Sequence, residues 1–206
     1  MGITERRQSE IENLKKKIID AASEILSKDG FEKLSIRKIA DKIEYSPGII
    51  YHYFKDKNEL LYCVVEENYD ALIKALSKIP VDNEHPEKTI INGMKTYIEF
   101  MLKNPESFKA IMMNNIESIE SKVNMLEKNI SKKRTSMKNL TELIEIGIKK
   151  GFFKTDDAEL TAQIIWTSTY GLLSRLILEK NVTKEQKEKL INHNFEVLIN
   201  GILTRK

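Results

Sequence analysis

GFEKLSIRKIADKIEYSPGIIYHYFKDKNELL, residues 30–61, is the stretch whose reading decides the fold. It holds three helical starts in close succession. Ser35 opens a short helix with Ile36, Ile39, Ala40 and Ile43 facing inward. Ser46-Pro47 opens a second, because Ser caps and Pro fits a first helical position whose N–H has no partner; it ends near Phe54. Asp56 caps a third, with Glu59 three residues on in capping-box fashion. Helices of about two turns cannot stand alone, so they must pack on longer neighbours. That is the arrangement of a helix-turn-helix, whose second helix lies in a DNA major groove with its N-terminal residues toward base edges.

The side chains in this stretch suit that role. Ser35 and Ser46 sit at helix starts, where N–H groups and hydroxyls can hold phosphates. Gly48 lets backbone approach DNA closely, and Tyr51 and Tyr53 carry hydroxyl donors. Arg37 and Lys38 add charge on the preceding helix, and Lys57 supplies a phosphate contact at the start of the next. From Lys33 to Lys57 six basic side chains face three acidic ones, a local excess that matters more than the whole-chain charge of +3. Tyr45, Ile49 and His52 complete the candidate DNA-reading set, with Phe54 as the apolar anchor of the module.

Working outward, helical spacing continues almost throughout. Ile11, Leu14, Ile18, Ala22, Ile25 and Leu26 form one stripe, closed by Gly30 as a left-handed cap. A helix from Asp56 runs to about Ile79, and Pro80–Pro86 reads as a loop. Further helices are predicted over about 87–103, 105–115, 118–150, 157–180 and 184–204, the last capped by Thr183 with Gln186. No segment shows a period-2 strand pattern with hairpin turns. The expected fold is all-α, about nine helices: an N-terminal three-helix helix-turn-helix DNA-binding domain over 1–56, then a C-terminal helical bundle over 57–206 for ligand binding and dimerisation, with 57–79 as the connecting helix.

The composition, 41% hydrophobic and 32% charged, is that of a globular chain rather than a disordered one. One cysteine, Cys63, excludes an internal disulfide and paired-thiol metal or redox motifs, and it reads as a buried structural thiol. His52, His85 and His193 are too scattered to suggest a metal site. No nucleophile elbow, phosphate loop, zinc-protease pair or dinucleotide fingerprint occurs, so no enzyme, metal or cofactor is expected. The charged start MGITERRQSE and the absence of a long apolar run point to a cytoplasmic protein with no membrane partner.

The stretch resembles the TetR family of transcriptional regulators. The resemblance runs through Gly30-Phe31, Ser35, Ile39-Ala40, Ser46, Gly48, Ile50-Tyr51, Tyr53-Phe54, Lys57 and Leu60-Leu61, all at the family spacing. Gly147, Gly151-Phe152, Asp157 and Ala162 look like that family's late inter-helix turn. One departure is Ile43-Glu44-Tyr45, where the family has Ala-Gly-Val; Glu44 in a left-handed conformation would cost roughly 1 kcal/mol.

The resemblance implies a sensor and a dimer in the remainder. Met and aromatic side chains are frequent there, from Met94 to Tyr170, and a bundle with such a lining can enclose a small hydrophobic effector. Tyr97, Phe100, Met101, Met113, Trp166 and Tyr170 are the candidate ligand-binding residues. Leu160, Ile164, Ser168, Gly171 and Leu172, with Phe195, Leu198 and Ile202 on the last helix, are the candidate homodimer interface. The implied function is a repressor that leaves a palindromic double-stranded operator when an effector of unknown identity binds. The alternatives are an architectural or protein-binding DNA-binder without a sensor, and an enzyme whose site carries no familiar motif.

Overall fold

A computed structural model describes residues 2–113 and 124–204. Among them are nine α-helices: α1 (Ile3–Asp29), α2 (Ile36–Ile43), α3 (Pro47–Tyr51), α4 (Lys57–Leu76), α5 (Pro86–Lys103), α6 (Pro105–Met113), α7 (Thr135–Lys149), α8 (Ala158–Leu178) and α9 (Lys184–Ile202). The all-α expectation holds. The described backbone contains no strand, only an isolated antiparallel bridge between Phe153 and Leu203. No helix among the described residues is long and apolar enough to cross a membrane.

The chain forms two compact units. The first holds α1 to α3, α4 as far as Ala71, and α6; the second holds the end of α4, α5 and α7 to α9. In the first unit, Ile18, Ala22 and Leu26 of α1 are buried with Ile39 and Ala40 of α2, Ile50 of α3, Phe54, and Leu60 and Leu61 of α4. The apolar stripe of α1 is thus the floor on which the short helices sit. Cys63 is half-buried against this core, and burial pushes its thiol pKa up.

Helix ends follow their sequence signals with instructive exceptions. Gly30 ends α1 at φ 81°, ψ 170°, a positive-φ conformation open to glycine but outside the left-handed helical region expected of its cap. Asp56 Oδ1 accepts from the N–H groups of Asn58 and Glu59 at 2.8 and 2.9 Å. The Glu59 carboxylate reaches past this cap to the Lys55 N–H at 2.6 Å. Helix α4 ends at Leu76 rather than Ile79, finishing in tighter turns through Lys78 and Ile79 that bond three residues back. The long helix predicted over 118–150 is corrected: residues 124–134 are not α-helical, and α7 begins only at Thr135. The reason is a clasp that straight helical spacing cannot reveal. Asn129 takes φ 61°, and Glu159 of α8 accepts from the Asn129 N–H at 2.6 Å and from the Ser131 N–H and hydroxyl. Gln163 donates to the carbonyls of Met125 and Glu127, both at 3.1 Å.

In the second unit, Ile90, Ile144, Ala162, Ile165 and Ile199 centre the core. The turn after α7 depends on two glycines. Gly151 sits at φ 74°, and the Phe152 N–H returns to the Gly147 carbonyl at 2.8 Å. A Cβ on Gly147 would lie 2.2 Å from the Phe153 ring, and Phe153 is itself buried. Gly147→Ala must therefore displace a packed aromatic, at about 1–3 kcal/mol. Chemical denaturation should show that loss; a variant as stable as the parent would mean the ring is not seated there.

Candidate nucleic-acid interface

The surface around α3 is built by burying one side of a five-residue helix. Ile50 is fully buried and Phe54 nearly so, while Tyr51 is 58% exposed and Gly48 and His52 are also exposed. Ile49 and Tyr53 are half-buried. The predicted ending near Phe54 is met by turns, since the N–H groups of His52, Tyr53 and Phe54 return to Ile49 and Ile50 after α3 itself ends at Tyr51. Ser46 precedes Pro47 as expected, but its hydroxyl makes no capping bond. It stays exposed at the start of α3.

The turn between α2 and α3 is a left-handed C-terminal motif. Ser35 caps the start of α2 by accepting from the Lys38 N–H at 3.3 Å. At its end Glu44 takes φ 62°, ψ 41°, the Tyr45 N–H returns to Ala40 at 3.0 Å and the Glu44 N–H to Asp41 at 3.4 Å. The left-handed conformation foreseen for Glu44 is present. Lys17, which the sequence reading passed over, supports this turn from α1. Its ammonium donates to the Ile43 carbonyl at 3.2 Å and lies 5.2 Å from the centre of the Tyr45 ring. A cation on the last carbonyls of a helix also complements its dipole.

The cations differ in freedom. Arg37 and Lys38 are exposed on α2 and form no ion pair among the described residues. Lys42 pairs with Glu24 at 2.7 Å. Lys57 is half-buried, donates to the Phe31 carbonyl at 2.8 Å and sits 3.7 Å over the Phe31 ring. Burial lowers its pKa, with Glu32 opposing. Its ammonium thus ties the start of α4 to the segment joining α1 and α2, and any phosphate would have to share it.

The candidate ligand residues are partly brought together. Trp166 and Tyr170 stack with ring centres 5.1 Å apart. Tyr97 is half-buried as a residue, yet its hydroxyl is desolvated; burial first, then the Tyr170 phenol, drives its pKa up. Phe100 and Met101 are half-buried on α5, and the side chain of Met113 lies outside the described residues. Tyr97, Phe100, Met101, Trp166 and Tyr170 are not among the described residues lining the apolar cavity of about 370 Å³ between α5, α7 and the segment after α4. Ile90, Gly93, Met94, Leu140, Leu143 and Ile146 are among its walls, and of these only Met94 stood out in the sequence. Its other apolar walls are ordinary aliphatics, which carry no signal of a void.

Among the candidate interface residues, Leu160 and Ile164 are exposed at 59% and 62%, and Gly171 is exposed with open space beside it. Ser168, Leu172, Leu198 and Ile202 are half-buried, and the Ser168 hydroxyl donates to Asn194 at 3.1 Å. Phe195 is corrected: at 1% exposure it belongs to the chain's own core and offers no surface to a partner. The exposed large apolar side chains of α9 are instead Leu190 and Val197, at 38% and 58%.

A three-helix head with a buried anchor, an exposed short helix and exposed cations beside it defines a helix-turn-helix DNA-binding protein. Residues 18–62 match the family model for bacterial regulatory proteins of the tetR family. The repressor NicS of Pseudomonas putida is 24% identical over 73% of this chain and 70% of its own length. The regulator UidR of Escherichia coli is 22% identical over 96% of each chain. Among solved structures, a transcriptional regulator from Rhodococcus sp. superposes with TM-score 0.70 at 17% identity, covering 93% of this chain and 99% of that one. PfmR, a TetR-family regulator from Thermus thermophilus, gives 0.63 at 18% over 91% and 99%. Residues 18–62 thus carry the DNA-binding segment of the tetR family of bacterial regulatory proteins, and the rest of the chain has the helical fold of such regulators.

The free and tied cations should separate in solution. Arg37→Ala and Lys38→Ala should each lower the salt slope of DNA binding by about one unit without moving the unfolding midpoint. Lys57→Ala should also lower the stability, by about 1–2 kcal/mol, through loss of a charged hydrogen bond. An unchanged midpoint for Lys57→Ala would show that the tie to Phe31 is not formed.

Proposed function

We propose that the chain is a ligand-responsive repressor that acts as a homodimer on a palindromic operator in the cytoplasm. Residues 1–56 read DNA, and 57–206 bind the effector and the second subunit. The observation that carries this reading is the exposed face of α3 beside Arg37 and Lys38, exposed cations with no ion pair among the described residues. Ser46, Gly48 and Tyr51 approach the phosphates, and His52 and Ile49 face base edges. Ser35, Tyr45, Tyr53 and Lys57 frame that contact. In a dimer the two copies of α3 stand near one DNA turn apart, about 34–36 Å, or a multiple of it.

The dimer reading is supported by the exposed series Leu160, Ile164, Thr167 and Gly171 on α8, with Leu190 and Val197 exposed on α9. The spacing of the α8 series keeps it on one helical face, and such apolar surface favours a second copy. A small hydrophobic effector, held near Tyr97, Phe100, Met101, Trp166 and Tyr170, would bind the DNA-free state better and shift the population toward it.

Selection of duplexes from a random pool by the purified chain tests the DNA reading directly. Enrichment of an inverted repeat is expected, and a pool that stays random would overturn it. Ile164→Asp tests the dimer without disturbing the core, because that side chain is exposed. It should sediment as a monomer at micromolar concentration and lose about 10²–10⁴ in operator affinity, the advantage of linking two half-site contacts. An Ile164→Asp variant that remains dimeric would remove this face from the interface.

A further inference from the structure

We propose that the cavity between α5 and α7 is a binding site for a small organic cation with an elongated apolar body. Ile90 and Leu140, at 1% and 4% exposure, form its floor, and Leu76, Met94, Leu143 and Ile146 its sides. At about 370 Å³ it lies in the range of small-molecule pockets, and Ser77, Ser136 and Asn139 are also among its lining residues. All these residues belong to the second compact unit.

Charge selects the occupant. Among the described lining residues Glu142 is the single ionisable group, and no Lys, Arg or His joins it. Its exposed partner, Lys138, is 3.8 Å away along the same helix, a pairing too solvated to neutralise it firmly. A ligand with a carboxylate or phosphate head would place that head beside Glu142, with no cation among the described lining residues to receive it. A quaternary or protonated amine gains from Glu142 while its chain covers the aliphatic floor.

Gly93 fixes the site's capacity. It lies on α5 at the cavity wall, and a Cβ built there meets nothing within 4 Å. A Cβ can therefore be added there without displacing a neighbour, and leaving glycine behind favours the helix. Filling the cavity thus need not cost the fold, which makes it separable from stability.

The site goes beyond the repressor reading, since binding is measured on the full chain without DNA. Calorimetric titration uses three probes of one chain length below their micellar concentrations: decyltrimethylammonium, decanol and decanoate. The cation should bind best, about threefold tighter than the alcohol as expected for one partly exposed charge pair, and decanoate weakest. Glu142→Gln should erase the preference for the cation over the alcohol. Gly93→Leu should abolish binding of all three while melting no earlier than the parent. Equal affinity for the three head groups would overturn the choice of ligand, and undiminished binding to Gly93→Leu would overturn the site.

Discussion

Burial of Ile50 and Phe54 on the floor made by α1 is the constraint on which the rest of the DNA-binding head depends. A helix of five residues has no stability of its own. It exists because two apolar side chains, each worth about 1.5–3 kcal/mol when fully buried, hold it against Ile18, Ala22 and Ile39. The same anchoring turns the other face outward, so Tyr51 and His52 are exposed as a result of what their neighbours bury. Lys57 and Lys17 reinforce the placement with charge, one at the junction of α1 and α2 and the other at the end of α2.

These two lysines show that a basic patch is not a uniform reservoir of phosphate contacts. Lys17, Lys42 and Lys57 have partners within the chain, whereas Arg37 and Lys38 form no ion pair among the described residues. Partners cost a cation some of its availability, and burial lowers the Lys57 pKa further. The turn carries a similar compromise. Glu44 accepts a left-handed backbone that glycine would adopt freely, and in return the Tyr45 ring is set beside the Lys17 ammonium.

The head was legible in the sequence because its signals are local. Ser35, Asp56 and Gly30 act within a few residues, and the inward face of α2 is a single helical repeat. The second unit was less legible wherever contacts join distant residues. Glu159 and Gln163 fold residues 125–131 out of the helical pattern that their apolar spacing suggests, and nothing near residue 130 announces a partner about thirty positions away. Phe195 looked like interface because a heptad stripe does not say which neighbour it meets. The cavity beside Gly93 was invisible because a void is a property of packing, and its walls are the Ile and Leu of any bundle.

The central claim is that the outward face created by burying Ile50 and Phe54 is the face that meets DNA. Amide hydrogen exchange of the full chain, with and without a duplex chosen by selection, tests it most directly. The account predicts slowed exchange over residues 44–57, strongest at the start of α3. A bound duplex that leaves that segment unprotected, and slows exchange elsewhere instead, would contradict it.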